Sequence, residues 1–551
     1  MEQNMRTPLL QQKPQPAPLL LNDYPEIPNV TSSFSSGQDP LHQSDAILPP
    51  AHTNRTVVLC FDGTGEQFSS DNSNIVQLFS MLVKDDPNLQ MVYYQAGIGT
   101  YCIPEMATPM MAKVSKTVDM MIGNHLNAHV MGGYEFLMEN YRAGDKICIF
   151  GFSRGAYTAR ALAGMIHKVG LLPRCNHQQV PFAYSMYSRD DDEGWRQSNA
   201  FKKAFSINVE IEFVGVWDTV SSVGIIPKRL PFTTANNNIR YFRHAMSLDE
   251  HRVRFKPNRW TRPTEEHKER GVKPHHMPRS IRRHFPDKHE VESKGSPDSE
   301  ATKGSHRHHA SQDEMEQRFT ATDSLPIIKT DVEEVWFAGC HCDVGGGSVA
   351  NGTRNSLARI PLRWMIRELF KLEIGILFHR NMFAKIGMDP TMLYPVSKVK
   401  WPRPPPLYQL PKAPSPTGSP NSTTKAFVLP PPEIVVDDPA MIVYSDGGKF
   451  VNEELEDLAD VTSPMYDQLR LSRAWWILEV IPQMLHYQDD ENNSLIQTYT
   501  VNMGSGRHVQ RQIQEGVKVH RSVKIRMEAD NLKDGKYWPK AKLKVEPEWV
   551  D

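Results

Sequence analysis

The strand-to-helix junction around Ser153 constrains the fold of this chain more than any other feature of its sequence. The apolar run 146–150 (KICIF) leads into GFSRG at 151–155, and a helical pattern of apolar residues follows directly. So sharp a turn strains the backbone of its central residue, and it needs glycines two positions to either side to let strand and helix approach. The pattern predicts that Ser153 is an exposed nucleophile, with Gly151 and Gly155 forming its elbow.

Short apolar runs alternate with helical patterns through the first two thirds of the chain, which predicts an α/β fold with a mostly parallel sheet flanked by helices. The strand candidates are 56–61, 91–95, 146–150, 209–217 and 332–339, and the helix candidates are 74–83, 118–141, 154–170 and 356–372. Reactive groups in such sheets collect beyond the carboxyl ends of the strands. A base and an acid that serve Ser153 are therefore expected there.

Asp218 and His341 each follow a predicted strand, in the chain order Ser, Asp, His that this type of junction requires. We predict that His341 is the base and that Asp218 orients it. Two further carboxylates, Asp343 and Asp249, stay open as replacements for Asp218 or as residues that position the loop.

Two groups of backbone donors are predicted to stabilise an oxyanion. The N–H of Arg154 lies at the start of the helix, and Gly63 and Thr64 lie in a glycine-rich loop after the first strand. Asp62 is expected to have a structural or oxyanion-loop role. A phosphotransferase of the D-x-D type is excluded because Cys60 stands where that motif has its nucleophilic aspartate.

Other clusters of titratable residues carry less weight. The sequences CHCD at 340–343 and HRHH at 306–309 lack the ligand spacing of a zinc site, so we predict neither metal nor cofactor. The Arg-rich surroundings of His244 suggest an exposed helix face and a structural histidine.

Composition divides the chain into four segments. Residues 1–54 are predicted to be a disordered tail, and 55–400 the catalytic domain, interrupted by a charged, His-rich, disordered insertion at 262–323. Residues 401–436 form a Pro-rich linker or loop that is a candidate binding site for protein partners. Residues 437–551 are predicted to be a helical or mixed extension that packs on the catalytic domain.

Charge and hydropathy exclude several classes of protein. The net charge of −1 gives no field that would attract nucleic acid, and six cysteines are too few for a disulfide scaffold. The N-terminal residues show no secretory signal, and the segment 474–485 is too short to span a membrane. These features predict a soluble, cytoplasmic protein.

The aromatic face of 474–485, with Trp475 and Trp476, is expected to pack in the core; the alternative is a lid or a lipid-docking surface.

Seven sequence blocks resemble the divergent α/β-hydrolases once classed as a domain of unknown function and now described as the catalytic domain of type VI secretion phospholipase effectors, in their fungal form. The blocks are LCFDGT (59–64), YxxGIGT (94–100), GFSRGAYTAR (151–160), VWDTV (216–220), HAMSLDE (244–250), WFxGxHCDVGGG (336–347) and LxxIPLRWM (357–365). The resemblance implies an α/β-hydrolase fold, a triad of Ser153, Asp218 and His341, and an ester or phospholipid substrate met in transient contact with a membrane surface. Cys342 departs from the family pattern, which has a small residue there.

We therefore predict a serine hydrolase of carboxylic esters, of the phospholipase or lipase/esterase type. Two alternatives stay open. One is a catalytically silent interaction protein with the same fold, which binds partners through its Pro-rich and charged loops. The other is a peripheral membrane-binding module built around the aromatic helix.

Overall fold

Buried apolar runs form the strands of the central sheet, as the sequence pattern predicts. The computed structural model describes residues 47–49, 52, 54–64, 66–98, 126–189, 191–220, 230–261, 330–393, 453–488, 495–530, 532–533 and 535–551, without the side chains of 192, 483–488 and 495–498. All of them belong to one compact unit.

The strands β1 to β12 of the described residues are Ile47–Leu48, Thr56–Phe61, Gln90–Gln95, Lys146–Phe152, Ile211–Trp217, Ile239–Ser247, Asp331–Phe337, Phe378–His379, Gln483–Gln488, Leu495–Thr500, Lys518–His520 and Glu548–Val550. Eight of them form a sheet in the order β12-β11-β7-β6-β5-β4-β2-β3. Every pair in this sheet is parallel. The strands β1 and β8, and likewise β9 and β10, form antiparallel pairs.

The α-helices α1 to α12 of the same residues are Asn74–Met81, Leu126–Asn140, Ser153–Val169, Val180–Ser188, Asp192–Phe205, His341–Gly345, Arg359–Lys371, Glu453–Val461, Gln468–Leu471, Trp476–Glu479, Gln512–Glu515 and Arg521–Glu528. The four predicted helices correspond to α1, α2, α3 and α7 with small shifts of their ends, and residues 118–125 of the second lie outside the described residues. None of the helices in the described part of the chain has the length and apolar character needed to cross a membrane.

Helices cover both faces of the sheet. Along β2, Val58 and Cys60 pack in the hydrophobic cluster that contains α1 and α7, whereas Val57, Leu59 and Phe61 pack in the cluster that contains α2 and α3. Because successive side chains of a strand point to opposite faces of the sheet, β2 contributes to the hydrophobic clusters on both faces. The carboxyl ends of the parallel strands are left to form one edge, where the site lies.

The strand β6 carries His244, and the expected exposed helix face there is wrong. His244 is completely buried, and its Nδ1 lies 3.0 Å from Glu334 Oε1. The arginines that suggested exposure are compensated in part by ion pairs, since Arg243 Nε donates to Glu368 Oε2 at 2.7 Å. Charged residues can occupy a central strand when partners of opposite charge are buried with them.

The aromatic segment 474–485 does not form the expected core helix. It contains the single turn α10 and the start of β9, and Trp476 and Ile481 are 41% and 44% exposed. The buried residue of this turn is Glu479, whose Oε1 accepts a hydrogen bond from the Val253 N–H at 2.6 Å. A buried carboxylate is tolerated here because it is hydrogen-bonded. The buried side of this turn is therefore the one with Glu479, whereas hydropathy predicts burial of the apolar side.

The last part of the chain extends the sheet. Strand β11 pairs in parallel with β7 on one side and with β12 on the other. The stretch 519–527 contains the last two residues of β11 and then most of helix α12. Near the start of the described chain, Ile47 and Leu48 pair with β8.

Candidate active site

Ser153 lies at a sharp junction between β4 and α3. The strand ends at Phe152, the helix begins at Ser153, and Ser153 has a φ of 59°. A Cβ on Gly155 would lie 2.3 Å from the carbonyl oxygens of Phe61 and Asp62, so only glycine allows the first turn of α3 to approach β2. The local sequence therefore holds a non-glycine residue in a strained conformation at the head of a helix.

An unbroken chain of hydrogen bonds links three side chains from three strand ends. Ser153 Oγ lies 2.7 Å from His341 Nε2, and His341 Nδ1 lies 2.5 Å from Asp218 Oδ2. All three side chains are buried, so the predicted exposure of Ser153 is wrong, and Asp218 is completely inaccessible. With the imidazole proton on Nδ1, Nε2 is free to accept the proton of the serine hydroxyl.

The carboxylate of Asp218 is held by more than the imidazole. Its Oδ1 accepts hydrogen bonds from the Ser247 N–H at 2.9 Å and from Arg507 Nη1 at 2.5 Å, and Arg507 Nη2 donates to Oδ2 at 2.8 Å. Asp218 itself has a φ of 41° directly after β5. The carboxylate is thus fixed on both oxygens.

The electrostatics of the pair favour an ionised acid and a neutral base. Burial opposes the ionisation of Asp218, but the charge of Arg507 and the hydrogen bonds from His341 and Arg507 outweigh it, so the pKa of Asp218 lies well below its usual range. Burial also lowers the pKa of His341, against the opposing effect of its hydrogen bond to Asp218. A neutral imidazole next to a carboxylate is the state in which His341 can act as a base.

The backbone of His341 is anchored by the loop after β6. The His341 N–H donates to Glu250 Oε2 at 3.2 Å, and Glu250 forms an ion pair with Arg252 at 2.9 Å. The ring of Phe255 meets the imidazole edge-to-face, with 4.8 Å between the centroids. These contacts set the position and tilt of the imidazole.

The two alternative acids bind backbone groups and lie on the loops around the triad. Asp343 Oδ2 accepts hydrogen bonds from the N–H groups of Cys340 and Tyr466 at 2.9 Å and 3.0 Å. Asp249 accepts from the Gly339 N–H at 2.7 Å and from the Tyr537 hydroxyl at 2.7 Å. Each carboxylate thus ties the His341 loop to the C-terminal part of the chain, and Asp218 is the one that contacts the imidazole.

The predicted oxyanion donors lie at the start of α3 and in the loop after β2. The Arg154 N–H belongs to the first turn of α3, directly after Ser153. The Gly63 N–H instead donates to Asp62 Oδ1 at 2.8 Å, and Asp62 is further held by Ser73 and Tyr94. Thr64 Oγ1 is buried and has no hydrogen-bond partner among the described residues.

Two basic side chains near the triad have lowered pKa values. Burial and the nearby charge of Arg254 lower the pKa of Arg154 to about 10. Burial and the charge of Arg507 lower the pKa of Lys256 to about 8. Arg154, which directly follows Ser153, and Arg254 thus place positive charge near the nucleophile. The charges of Glu479 and Glu250 partly offset that of Lys256.

Sequence reasoning did not find Arg507 or Glu250 as parts of this site. Glu250 ends the block 244–250 that carries the family resemblance, which was a usable signal. Arg507 lies far along the chain, in a loop whose sequence has no spacing relation to the triad, and its role appears only in three dimensions.

Comparison with known families and proteins gives a family match and a curated relative. The family model described as "T6SS, Phospholipase effector Tle1-like, catalytic domain" matches residues 55–368. The uncharacterized protein YEL023C of Saccharomyces cerevisiae is 30% identical over 402 residues, which are 60% of this chain and 59% of that protein. The chain thus spans about three fifths of the length of this relative.

Two solved structures are similar in part. An uncharacterized protein from Pseudomonas aeruginosa has 16% sequence identity and a TM-score of 0.27, with 61% of this chain and 47% of that chain covered. The Tle1 effector, solved in a complex with the VgrG spike of the type 6 secretion system, has 15% identity and a TM-score of 0.23, with 54% and 52% covered.

Proposed function

Because the chain belongs to the family of Tle1-like phospholipase effector catalytic domains, we propose that it is a serine hydrolase that cleaves carboxylic ester bonds, with phospholipids as its substrate class. The observation that carries the proposal is the continuous set of hydrogen bonds from Ser153 through His341 to Asp218, at a strained elbow. This arrangement activates a hydroxyl that is otherwise a poor nucleophile.

In the proposed reaction Ser153 Oγ attacks the acyl carbonyl carbon while His341 Nε2 takes the hydroxyl proton. The tetrahedral intermediate collapses, the ester C–O bond breaks, and His341 returns the proton to the leaving alcohol. Water then repeats the sequence on the acyl-enzyme and releases the fatty acid. Asp218 keeps the imidazole in the productive tautomer and stabilises its positive charge in both steps.

We assign the oxyanion donors to the Arg154 N–H and to Thr64. The Arg154 N–H stands at the helix N-terminus next to the nucleophile, where the dipole favours negative charge. The buried hydroxyl of Thr64 lies in the loop after β2. Gly63 is better described as a residue that shapes this loop, since its N–H is already used by Asp62.

The positive surroundings of Ser153 favour a substrate with an anionic head group. Arg154 follows the nucleophile directly, and the charge of Arg254 is close enough to lower its pKa. A phosphodiester bound there would be stabilised by both guanidinium groups.

An exposed apolar patch next to the site supports contact with a lipid surface. We define the patch as Trp476, Ile477, Val480 and Ile481, which are 41%, 65%, 54% and 44% exposed. Exposed patches of this kind mark interaction surfaces.

The patch is connected to the triad and flanked by positive charge. Trp475, directly before the patch, packs edge-to-face on Phe255 at 5.6 Å, and Phe255 contacts His341. Arg473 is exposed beside it, as expected of a surface that meets anionic head groups, and so is Arg470, which also forms an ion pair with Asp467 at 3.5 Å. We therefore propose that the protein docks on phospholipid through this patch.

Hydrolysis of two substrates tests both parts of the proposal. Wild-type protein should hydrolyse a short soluble ester and anionic phospholipid vesicles, and Ser153→Ala should abolish both activities. The double variant Ile477→Asp/Ile481→Asp should keep the soluble activity and lose at least about tenfold on vesicles, because it removes buried apolar area at the membrane.

Phe205→Asp is the matched control, since Phe205 is 53% exposed and lies near Gly170, at the end of α3 opposite to Ser153. Equal vesicle activity of the patch variant and the control would contradict docking through the patch. Hydrolysis that persists in Ser153→Ala would contradict the serine mechanism, and vesicle binding without any hydrolysis would favour a membrane-binding module.

A further inference from the structure

Arg507 lies behind the triad, in the loop between β10 and α11. Its guanidinium is almost completely buried and donates to both oxygens of Asp218, from Nη1 at 2.5 Å and from Nη2 at 2.8 Å. The loop lies well beyond residues 55–368, which the family model matches. The residue thus reaches the catalytic centre from outside the matched domain.

The remaining donors of Arg507 bind the backbone next to the site. Nη1 donates to the Ser247 carbonyl at 2.9 Å, and Nε and Nη2 donate to the Phe255 carbonyl at 3.1 Å and 2.5 Å. Ser247 also binds Asp218 through its N–H, and the Phe255 ring packs on His341. One guanidinium therefore fixes both the acid and the ring that packs on the base.

The loop that carries Arg507 is itself packed closely against the protein. A Cβ on Gly506 would lie 2.1 Å from the Lys540 carbonyl oxygen, so the chain here has little room to shift. Asn502, before the same loop, donates from Nδ2 to the His251 carbonyl at 2.7 Å and to the buried Glu479. Arg507 is held on a rigid support.

We propose that Arg507 is a positioning residue for catalysis, which orients and neutralises Asp218 behind His341, and that the C-terminal part of the chain completes the active site. The inference rests on the proposed serine hydrolase mechanism. A guanidinium suits this role because its planar fork matches a carboxylate on two points and keeps its charge at every physiological pH. Lysine would supply the charge without the fork.

The charge of Arg507 has a defined effect on the base. Asp218 carries one negative charge and Arg507 one positive charge, so the pair stabilises an imidazolium less than a lone aspartate would. Removal of Arg507 should therefore let the Asp218–His341 pair take up its proton at a higher pH. Among the described residues, the other charged groups that act on His341 are Arg252 and Glu250, and they are the same in all variants.

The test uses full-length protein with Arg507→Met, Arg507→Lys and the control Arg521→Met. Arg521 is a buried arginine of the same C-terminal part, and its ion pairs are with Glu454, Asp457 and Asp551. Steady-state rates on a short soluble ester are measured from pH 4.5 to 8.5, with thermal unfolding of each variant.

Arg507→Met should lower kcat by about 100-fold, as a misplaced catalytic group does, while KM stays within about twofold because Arg507 does not touch the substrate. In its pH profile of kcat/KM, the fall in activity on the acidic side (the acid limb) should move to higher pH. Arg507→Lys should also lose kcat but keep the acid limb of the wild type. Arg521→Met should lose thermal stability without either change.

A second readout does not depend on catalysis. The imidazole of His341 is titrated by NMR in protein labelled with ¹³C-histidine, and its signal is assigned by loss in His341→Gln. Its titration midpoint should rise in Arg507→Met and not in Arg521→Met. An inactive wild type with this shift would refute the proposed function, and only the effect of Arg507 on the proton affinity of the Asp218–His341 pair would remain.

Two results would overturn the inference. The first is a folded Arg507→Met variant with the kcat, acid limb and His341 titration of the wild type. The second, which applies if Arg507→Met does not fold, is an Arg507→Lys variant with full kcat, because the fork geometry would then be dispensable.

Discussion

At the scale of single residues, the chemistry of the site depends on the groups that stabilise the negative charge of Asp218. Its carboxylate accepts from a neutral imidazole, a guanidinium and a backbone N–H, and it is completely buried. A buried carboxylate with these partners remains ionised, whereas one without them would become protonated. The base next to it is in turn neutral, because burial lowers the pKa of His341.

The pH dependence of the wild-type enzyme follows from these directions. A base is competent when it is unprotonated, so a lowered pKa of His341 extends activity to more acidic pH. We expect kcat/KM on a soluble ester to be level near neutrality and to fall on acidification with a midpoint below the usual histidine value of 6.5. A rate profile measured from pH 4.5 to 8 checks this, and a midpoint above 7 would contradict the account.

The residues of the site differed in how well the sequence could predict them. Ser153, Asp218 and His341 follow strand ends, so topology alone placed them at one edge of the sheet, and the structure brings their side chains within hydrogen-bond distance. Their catalytic roles stay predictions. Arg507 could not be predicted, because its contribution depends on a contact with Asp218, which lies 289 positions earlier in the sequence.

At the scale of elements, close packing of α2 against the sheet depends on Gly133, whereas the adjacent Gly132 has more space around it. A Cβ on Gly133 would lie 2.6 Å from the buried ring of Phe61 and 3.0 Å from Leu162. A Cβ on Gly132 would lie 3.3 Å from the hydroxyl of Tyr93, a tight contact that a shift of this hydroxyl by a few tenths of an ångström would relieve. The two positions share a helix and differ in the space next to them.

Substitution of this pair by alanine should have opposite effects. Gly133→Ala should destabilise the protein by about 1–3 kcal/mol through overpacking. Gly132→Ala should be neutral or stabilise it by up to about 1 kcal/mol, because alanine is the better helix former. Chemical denaturation of both variants checks the difference, and an equal loss of stability would show that the ring of Phe61 does not limit the approach of α2.

Elements were predictable where hydropathy alone decided them. The continuous apolar strands β2, β4 and β5 were found in place. Strand β6 was not predicted because it carries arginines that are paired with buried acids. The segment that contains α10 was predicted to lie in the core because the sequence does not show that Glu479 is its buried residue. In both cases a paired charge replaced an apolar residue in the interior.

At the scale of the whole molecule, the described C-terminal residues are part of the sheet and of the site. Strand β11 extends the sheet next to β7, and helix α8 is tied to α7 by the buried ion pairs of Arg363 with Asp457 and Asp460, each at 2.6 Å. Breaking such a pair on one side costs about 3–5 kcal/mol. The predicted boundary at 437 therefore marks a change of composition. Strand pairing and ion pairs connect the described residues on its two sides.

The central claim is that Ser153 is a nucleophile activated by His341, and labelling with a fluorophosphonate tests it most directly. Full-length wild type, Ser153→Ala, His341→Ala and the control Ser80→Ala, which alters an exposed serine of α1, are incubated with the probe and analysed by intact mass and peptide mapping. We expect one adduct on Ser153 in the wild type and in Ser80→Ala, none in Ser153→Ala, and a strongly slowed reaction in His341→Ala. A folded wild type that acquires no adduct, or an adduct that persists in Ser153→Ala, would contradict the account.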